Sequence, residues 1–140
     1  MTRWTVRRGI SRTVLVTHRW AIKVPGLRAW GDGGRGRLAT FSRGVLANQS
    51  ERRWSGVSGL NPVVWSCGWG LVNVYRRAEV PTEDVDYDSI AVDEFVPSGD
   101  RKPGNVGWVD GELVWIDYDF SSRGLRGVRP TKLLLGRTAP

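Results

Sequence analysis

Three short β-rich runs at the start of the chain, each ended by turn residues, constrain its fold most. They occupy residues 3–8, 13–17 and 20–24, and the third stops at Pro25. Proline lacks a backbone N–H and cannot donate to a sheet hydrogen bond. Consecutive short strands joined by tight turns are typical of an antiparallel meander. The first part of the chain is therefore predicted to form an antiparallel sheet.

One stretch carries the signal of a long helix. Leu38, Phe41 and Val45 recur at spacings of three and four within residues 37–54, which predicts a helix with its apolar face along these side chains. Gly44 is expected to weaken this helix. A helix that follows a meander, rather than alternating with strands, indicates the α+β class. We therefore predict an antiparallel sheet with one main helix.

The second half of the chain again consists of short extended runs. Val63–Ser66 and 71–75 flank a glycine-rich turn, and Val106–Val109 and 113–116 flank Asp110-Gly111. An Asp-Gly pair between β-type runs is a strong signal for a two-residue hairpin turn. The sequence therefore predicts two further hairpins.

The segment between these hairpins and the chain as a whole show no sign of a second domain. The acidic segment 81–95 is compatible with a short helix or a loop. No internal repeat occurs at the spacing of solenoid proteins. A length of 140 residues suits one domain. Residues 1–140 are therefore predicted to form one compact domain.

Charge is distributed unevenly along the chain. The net charge of +7 combines +10 over 1–53 (12 basic minus two acidic residues), −9 over 80–120 (two basic minus 11 acidic) and +5 over 121–140. A basic lobe that faces an acidic centre suits a site that holds phosphate and metal together. Neutralisation of the two regions within the fold is the alternative.

The scarcity of cysteine and histidine excludes several kinds of site. Cys67 is the single cysteine and His18 the single histidine, so neither an internal disulfide nor a zinc site of the His/Cys type can form within one chain. Cys67 lies in an apolar run that predicts a buried thiol. No apolar stretch has the length of a membrane span, and nothing resembles a signal peptide. We therefore expect a cytoplasmic protein without membrane contacts.

The most specific pattern is the sequence DRKPGN at 100–105, followed by the hairpin that ends at Asp117. Asp100, Lys102 and Asn105 share this tight loop. Carboxylate and amide oxygens are hard ligands suited to Mg²⁺, and a further carboxylate can orient a proton. Turn and capping roles are the structural alternative for the same side chains.

This loop resembles the D-x-K-P-x-N catalytic loop of the protein-kinase-like superfamily. The sequence VGWVDGELVWIDYD at 106–119 resembles the strand–turn–strand that leads to the metal-binding Asp of that superfamily, and AIK at 21–23 resembles its V-A-I-K strand. The short chain as a whole resembles the very small kinase-like proteins that bacteriophages encode. The resemblance implies an amino-terminal-lobe-like part at 1–79. It also implies a reduced second lobe at 80–140, with a catalytic-loop-like hairpin and a basic tail.

The resemblance implies catalytic and metal-binding roles for the loop and the hairpin. Asp100 would orient the acceptor hydroxyl, and Lys102 would neutralise the transferring phosphoryl group. Asn105 and Asp117 would hold Mg²⁺. ATP and Mg²⁺ are therefore the implied cofactors.

The resemblance also implies nucleotide-binding roles in the amino-terminal-lobe-like part. Lys23 would contact the α- and β-phosphates and pair with Glu51 on the helix. At about 100° per residue, Glu51 lies more than about 100° away from the predicted apolar face, which argues against that pairing. Tyr75 belongs to residues 72–79, which would form the hinge beside the adenine.

Several features depart from the kinase pattern. Ser98-Gly99 stands in place of the His-Arg that precedes the catalytic Asp, and Asp119 replaces the glycine of D-F-G. No G-x-G-x-x-G motif lies between the first two strands. The 21 residues after Asp119 (140 minus 119) are too few for a helical second lobe. The motif is therefore strongest at 100–119 and eroded at both ends.

We therefore expect a pseudokinase that binds and modulates a host protein, rather than an active kinase, with weak binding of ATP–Mg²⁺. One alternative is a basic module that contacts nucleic acid or an acidic partner through residues 1–53 without nucleotide. Another is an active small-molecule phosphotransferase. Exposed Trp residues would also be compatible with a homodimer.

Overall fold

The computed structural model describes residues 4–27, 36–90 and 101–118. Asp100 and the residues at 98–99 and 119–140 that the sequence analysis singled out lie outside these ranges. The described residues form seven strands and one α-helix, with short 3₁₀ turns at Tyr87–Ser89 and Pro103–Asn105. The elements are β1 (Thr5–Arg8), β2 (Arg12–Val16), β3 (Trp20–Pro25), α1 (Arg37–Trp54), β4 (Val63–Ser66), β5 (Asn73–Arg76), β6 (Val106–Val109) and β7 (Glu112–Trp115).

Five of the strands form one antiparallel sheet in the order β1-β2-β3-β5-β4. The first three strands make the meander that their turn residues predicted. β5 then pairs with β3, so that Lys23 lies between Val14 on β2 and Asn73 on β5. The predicted α+β class, with an antiparallel sheet and one main helix, is confirmed.

The turns follow their predicted chemistry. Asp110 and Gly111 have φ values of 51° and 84°, as a two-residue turn between antiparallel strands requires. The β4–β5 connection turns at Gly68 and Gly70, which also have positive φ values. Cys67 precedes that turn and is partly exposed, so the prediction of a buried thiol is wrong. Its run ends at a surface turn, not in the core.

The helix packs on the sheet through a polar face, and the predicted apolar face is wrong. Leu38 is 78% exposed, and Phe41 and Val45 are only partly buried. The buried residues of the helix are Thr40, Gly44, Ala47, Asn48, Glu51 and Trp54. A Cβ atom on Gly44 would lie 2.8 Å from Pro25 Cα and closer still to the carbonyl oxygen of Ser11. The glycine therefore lets the helix backbone approach the sheet, and this approach selects the buried face.

The β6–β7 hairpin is attached to the rest of the fold at both of its strands. Trp115 on β7 exchanges backbone hydrogen bonds with Gly59 and Asn61, each 2.8 Å. Trp108 on β6 exchanges bonds of 2.9 and 3.0 Å with Glu79. A buried cluster fills the space between hairpin, helix end and sheet, consisting of Trp54, Leu60, Tyr75, Ile90, Val106, Trp115 and Tyr118. The attachment brings the residues after β7 beneath β3.

None of the helices in the described residues is long and apolar enough to cross a membrane.

Candidate functional site

A cavity of about 780 Å³ opens beside the sheet. It is bounded by the β1–β2 turn at 9–11, by residues of β2 and β3, by the end of β5 and the segment that follows it (75–80), and by 116–117 after β7. Cavities of this size hold ligands the size of a nucleotide. We call this cavity the cleft.

Lys23 and Glu51 form an ion pair at the inner end of the cleft. Lys23 Nζ lies 2.9 and 3.0 Å from the two carboxylate oxygens of Glu51, and it also donates to the carbonyl oxygen of Ile116 at 2.7 Å. Glu51 has no exposed surface. The pairing that the resemblance implied is therefore present. The spacing of apolar residues in α1 argued against this ion pair, because it predicted that the apolar face packs on the sheet. The helix instead packs through its polar face, which includes Glu51.

Arg12 completes this cluster, and no feature of the sequence marked it. Its side chain, at the start of β2, is buried. Nη1 lies 3.0 Å from the Glu51 carboxylate, and Nη2 lies 2.5 Å from Asp117 Oδ1. Lys23 and Arg12 together balance the two carboxylates, so that the cluster is formally neutral. This balance makes the burial of Glu51, Lys23 and Arg12 feasible, because unpaired buried charges are strongly destabilising.

Two asparagines hold the backbone around the cluster. Asn48 Nδ2 donates to the carbonyl oxygens of Lys23 (3.3 Å) and Gly70 (2.9 Å). Asn73 Nδ2 donates to the carbonyl oxygen of Asn48 (2.8 Å) and to Tyr75 Oη (3.0 Å). Both side chains are completely buried. Their bonds connect α1, β3 and β5, and a connected polar network of this kind makes a site rigid.

Tyr75 forms the inner wall of the cleft. Its hydroxyl donates to Glu51, and Lys23 Nζ lies 4.8 Å from the centre of its ring. Burial, followed by the negative charge of Glu51, raises the pKa of Tyr75. Burial and the same carboxylate raise the pKa of Tyr118, whose backbone N–H also donates to Glu51. Both phenols are therefore neutral donors at physiological pH.

The structure places the backbones of Asn105 and Asp117, the two predicted metal ligands, next to each other, whereas the predicted catalytic lysine does not line the cleft. Asp117 Oδ1 lies 4.0 Å from Lys23 Nζ, and the carbonyl oxygen of Asn105 accepts the Asp117 N–H at 3.4 Å. Lys102 is exposed and is not one of the residues that line the cleft. Asp100 lies outside the described residues, so its role stays a prediction.

Asp117 is an ionised carboxylate held by cations. Burial raises the pKa of its carboxyl group, but the charges of Lys23 and Arg12 outweigh this effect and lower the pKa below its ordinary value. The side chain is nevertheless 48% exposed towards the cleft. An anionic group here can bind a cation, and Arg12 already is that cation.

The donors at the inner end of the cleft do not fit a resident Mg²⁺ while Arg12 holds Asp117. Mg²⁺ requires oxygen ligands at about 2.0–2.1 Å in octahedral geometry, and one oxygen of Asp117 is bonded to the guanidinium at 2.5 Å. Two unit charges about 4 Å apart interact by about 4 kcal/mol near a protein surface. Arg12 and Lys23 would each repel a divalent ion at such a distance, and the carboxylates that would attract it are already paired with these two cations. The described residues contain no group of three or more His, Cys, Asp or Glu side chains that could hold a metal ion.

The lining of the cleft is strongly basic. Its acidic members are Glu79 and Asp117, and its basic members are Arg7, Arg12, Lys23, Arg43, Arg76 and Arg77. A concave surface lined by one sign of charge concentrates ligands of the opposite sign. The cleft therefore favours polyanionic ligands.

One buried acceptor beside the cleft has no partner. Asn61 donates through Nδ2 to the carbonyl oxygen of Arg76 at 3.1 Å. Its Oδ1 is buried and accepts no hydrogen bond from the described residues. Because Asn61 also lines the cleft, a donor on a bound molecule or a water could satisfy this atom.

Searches with the chain find no matching family model, no matching curated protein and no matching solved structure.

Proposed function

We propose that this chain is a kinase-like protein that binds a purine nucleotide in the cleft and acts by binding another protein rather than by transferring phosphate. One observation carries the proposal: Lys23, Glu51 and Asp117 converge at the inner end of a basic cavity of nucleotide size. These side chains come from β3, α1 and the residues after β7. Such a convergence agrees with the resemblance to the protein-kinase-like superfamily.

The base would lie against the segment 76–80. Ala78 lines the cleft, and its backbone N–H and C=O form no hydrogen bonds with the other described residues. The N–H groups of its neighbours Arg77 and Glu79 are already bonded within the fold, at 2.8 and 3.0 Å. Ala78 can therefore offer a donor and an acceptor to the edge of a purine. The phosphates would then extend towards Lys23.

Two features favour a binding role over catalysis. Arg12 engages the carboxylate that a kinase would use for metal, and Lys102 is not among the residues that line the cleft. Of the described residues to which the resemblance assigned metal binding or phosphoryl transfer, only Asn105 is then left without such an objection. ATP or a related nucleotide would then act as a structural ligand.

The protein partner would contact the edge of the sheet at β4. Val64 and Trp65 of this edge strand are exposed, as are Trp69 and Leu71 of the β4–β5 connection, Trp69 by 78%. Exposed apolar side chains on an edge strand and its adjoining turn are typical of interaction surfaces. The resemblance to the kinase-like proteins of bacteriophages makes a host protein in the host cytoplasm the proposed partner.

Thermal denaturation in the presence of ATP tests the nucleotide site. A ligand that binds the folded state raises the Tm by mass action, so we expect a concentration-dependent increase. Val16 lines the cleft and Val6 does not, although both lie in the first hairpin. Val16→Trp should therefore abolish the increase, and Val6→Trp should retain it. An unchanged Tm of the wild-type protein at saturating ATP would refute nucleotide binding.

A nucleic-acid-binding module is the second candidate, and the six basic residues of the cleft favour it. Retention on single-stranded DNA or RNA should then fall steeply with salt, since phosphate contacts release counterions. Two results together would favour this candidate. ATP would not reduce the retention on nucleic acid, and ATP would not change the Tm of the protein. Transfer of labelled phosphate, abolished by Lys23→Ala and by Asp100→Ala, would instead establish a phosphotransferase.

A further inference from the structure

Arg12 lies between two carboxylates, one of which belongs to the predicted metal ligand Asp117. Its guanidinium bridges Glu51 and Asp117 at 3.0 and 2.5 Å, and Nη1 also lies 3.4 Å from Asn48 Oδ1. The side chain is only 8% exposed. An arginine fixed from three sides cannot leave the site without exposing two carboxylates to each other, which is unfavourable.

We propose that the cleft binds the metal-free form of a nucleoside triphosphate, with Arg12 and Lys23 donating to phosphate oxygens in place of Mg²⁺ and with the other basic residues of the lining, such as Arg7 and Arg43, supplying the net positive charge. This proposal rests on the nucleotide site proposed above. It assigns Arg12 a phosphate-binding role that neither the sequence pattern nor the resemblance indicates.

The chemistry of the two cations suits this role. A guanidinium presents planar donors that match phosphate oxygens, and an ammonium acts as a compact point charge. Arg12 and Lys23 both line the cleft, and the exposed Arg7 and Arg43 add to its basic lining. A metal-free triphosphate carries more negative charge than its Mg²⁺ complex, so a lining of this charge binds it more strongly.

Binding of a fluorescent ATP analogue, measured by anisotropy in EDTA and in excess Mg²⁺, tests the proposal. We expect the wild-type protein to bind at least about tenfold more tightly in EDTA, a difference of about 1.4 kcal/mol. Arg12→Ala should lose the binding seen in EDTA and acquire binding that requires Mg²⁺, since Asp117 is then released. Arg12→Lys, which retains the charge, should keep the preference for the metal-free nucleotide at lower affinity.

The outcomes distinguish failure of the metal-free binding mode from failure of the proposed nucleotide site. Wild-type binding that disappears in EDTA would overturn the metal-free mode and leave the nucleotide site intact. Absence of binding in both buffers would overturn both proposals.

A second measurement does not depend on the folding of any variant. The relaxation of water protons by Mn²⁺–ATP should be unchanged when the wild-type protein is added, because the metal complex does not enter the cleft. Enhanced relaxation would show a protein-bound metal nucleotide and would contradict the proposal.

Discussion

At the scale of single residues, Glu51 determines whether the charged cluster can exist. It has no exposed surface, and it accepts hydrogen bonds from Lys23, Tyr75 and the backbone of Tyr118, with Arg12 at salt-bridge distance. Two cations and two donors therefore depend on one carboxylate. A buried carboxylate with this many partners is stabilising only while all of them remain.

Glu51→Gln should destabilise the protein by about 3–5 kcal/mol, because it leaves Lys23 and Arg12 buried beside a neutral amide. Urea denaturation would measure the loss in the free energy of unfolding. Glu83→Gln removes the same charge from an exposed residue and should change that free energy by less than about 0.5 kcal/mol. Equal effects of the two substitutions would contradict the role of Glu51.

The carboxylate of Asp117 should make stability depend on pH in the acid range. Its pKa in the folded protein lies below the ordinary value, which is about 3.9 in the unfolded chain. The ionised group therefore stabilises the fold above about pH 4, and this contribution is lost as pH falls through the folded pKa. The difference in urea midpoint between the wild-type protein and Asp117→Asn should be full at neutral pH and shrink below about pH 4. A difference that does not vary with pH would contradict this assignment.

At the scale of elements, α1 shows that close approach of backbones can override an apolar pattern. Gly44 faces Ser11 and Pro25 at distances that leave no room for a side chain. Its cost in helix propensity is about 1 kcal/mol relative to Ala. The helix tolerates this cost because only glycine allows the packing that brings Glu51 to Lys23.

Gly44→Ala should therefore destabilise the protein by about 1–3 kcal/mol, although alanine is the better helix former, because the new Cβ atom meets the backbone. Ser42→Ala is the matched control, since Ser42 is an exposed residue of the same helix. That substitution should raise the free energy of unfolding by about 0.5 kcal/mol. If Gly44→Ala raised the Tm as the control does, the close approach would be disproved.

The bounds of several helices and strands could be predicted from the sequence. The contacts between these elements could be predicted only in part. The bounds of α1, β4 and β6 agree with the prediction, because turn residues and spacing are local signals. The pairing of Lys23 with Glu51 came from the resemblance, against the helix pattern. Arg12 was missed because its partner Asp117 is 105 residues away, and no local pattern indicates so distant a contact.

At the scale of the whole molecule, part of the basic charge of the amino-terminal part lines the cleft, through Arg7, Arg12, Lys23 and Arg43. Arg43 and Arg53 are both exposed residues of α1, but only Arg43 lines the cleft. Arg43→Gln should weaken binding of the metal-free nucleotide about threefold to fivefold, the effect of an exposed charge pair of up to about 1 kcal/mol. Arg53→Gln should leave the affinity nearly unchanged at moderate salt, where exposed charges are screened beyond about 10 Å. Anisotropy titrations measure the nucleotide affinity of both variants. Equal losses of affinity would show that the net charge of the protein determines binding and that the position of the arginine does not.

The polar face of α1 has a consequence for how the molecule opens. Before Trp54, the buried side chains of the helix are polar or absent apart from Ala47, so detachment of this part of the helix exposes much less apolar surface than global unfolding does. Sensitivity to denaturant and the heat-capacity change both scale with the surface exposed. Exchange of the amide hydrogens of α1 should therefore proceed through an opening that low urea hardly accelerates, whereas exchange in β3 should follow global unfolding. Exchange rates in α1 and β3 that rise equally with urea would show that helix and sheet open together.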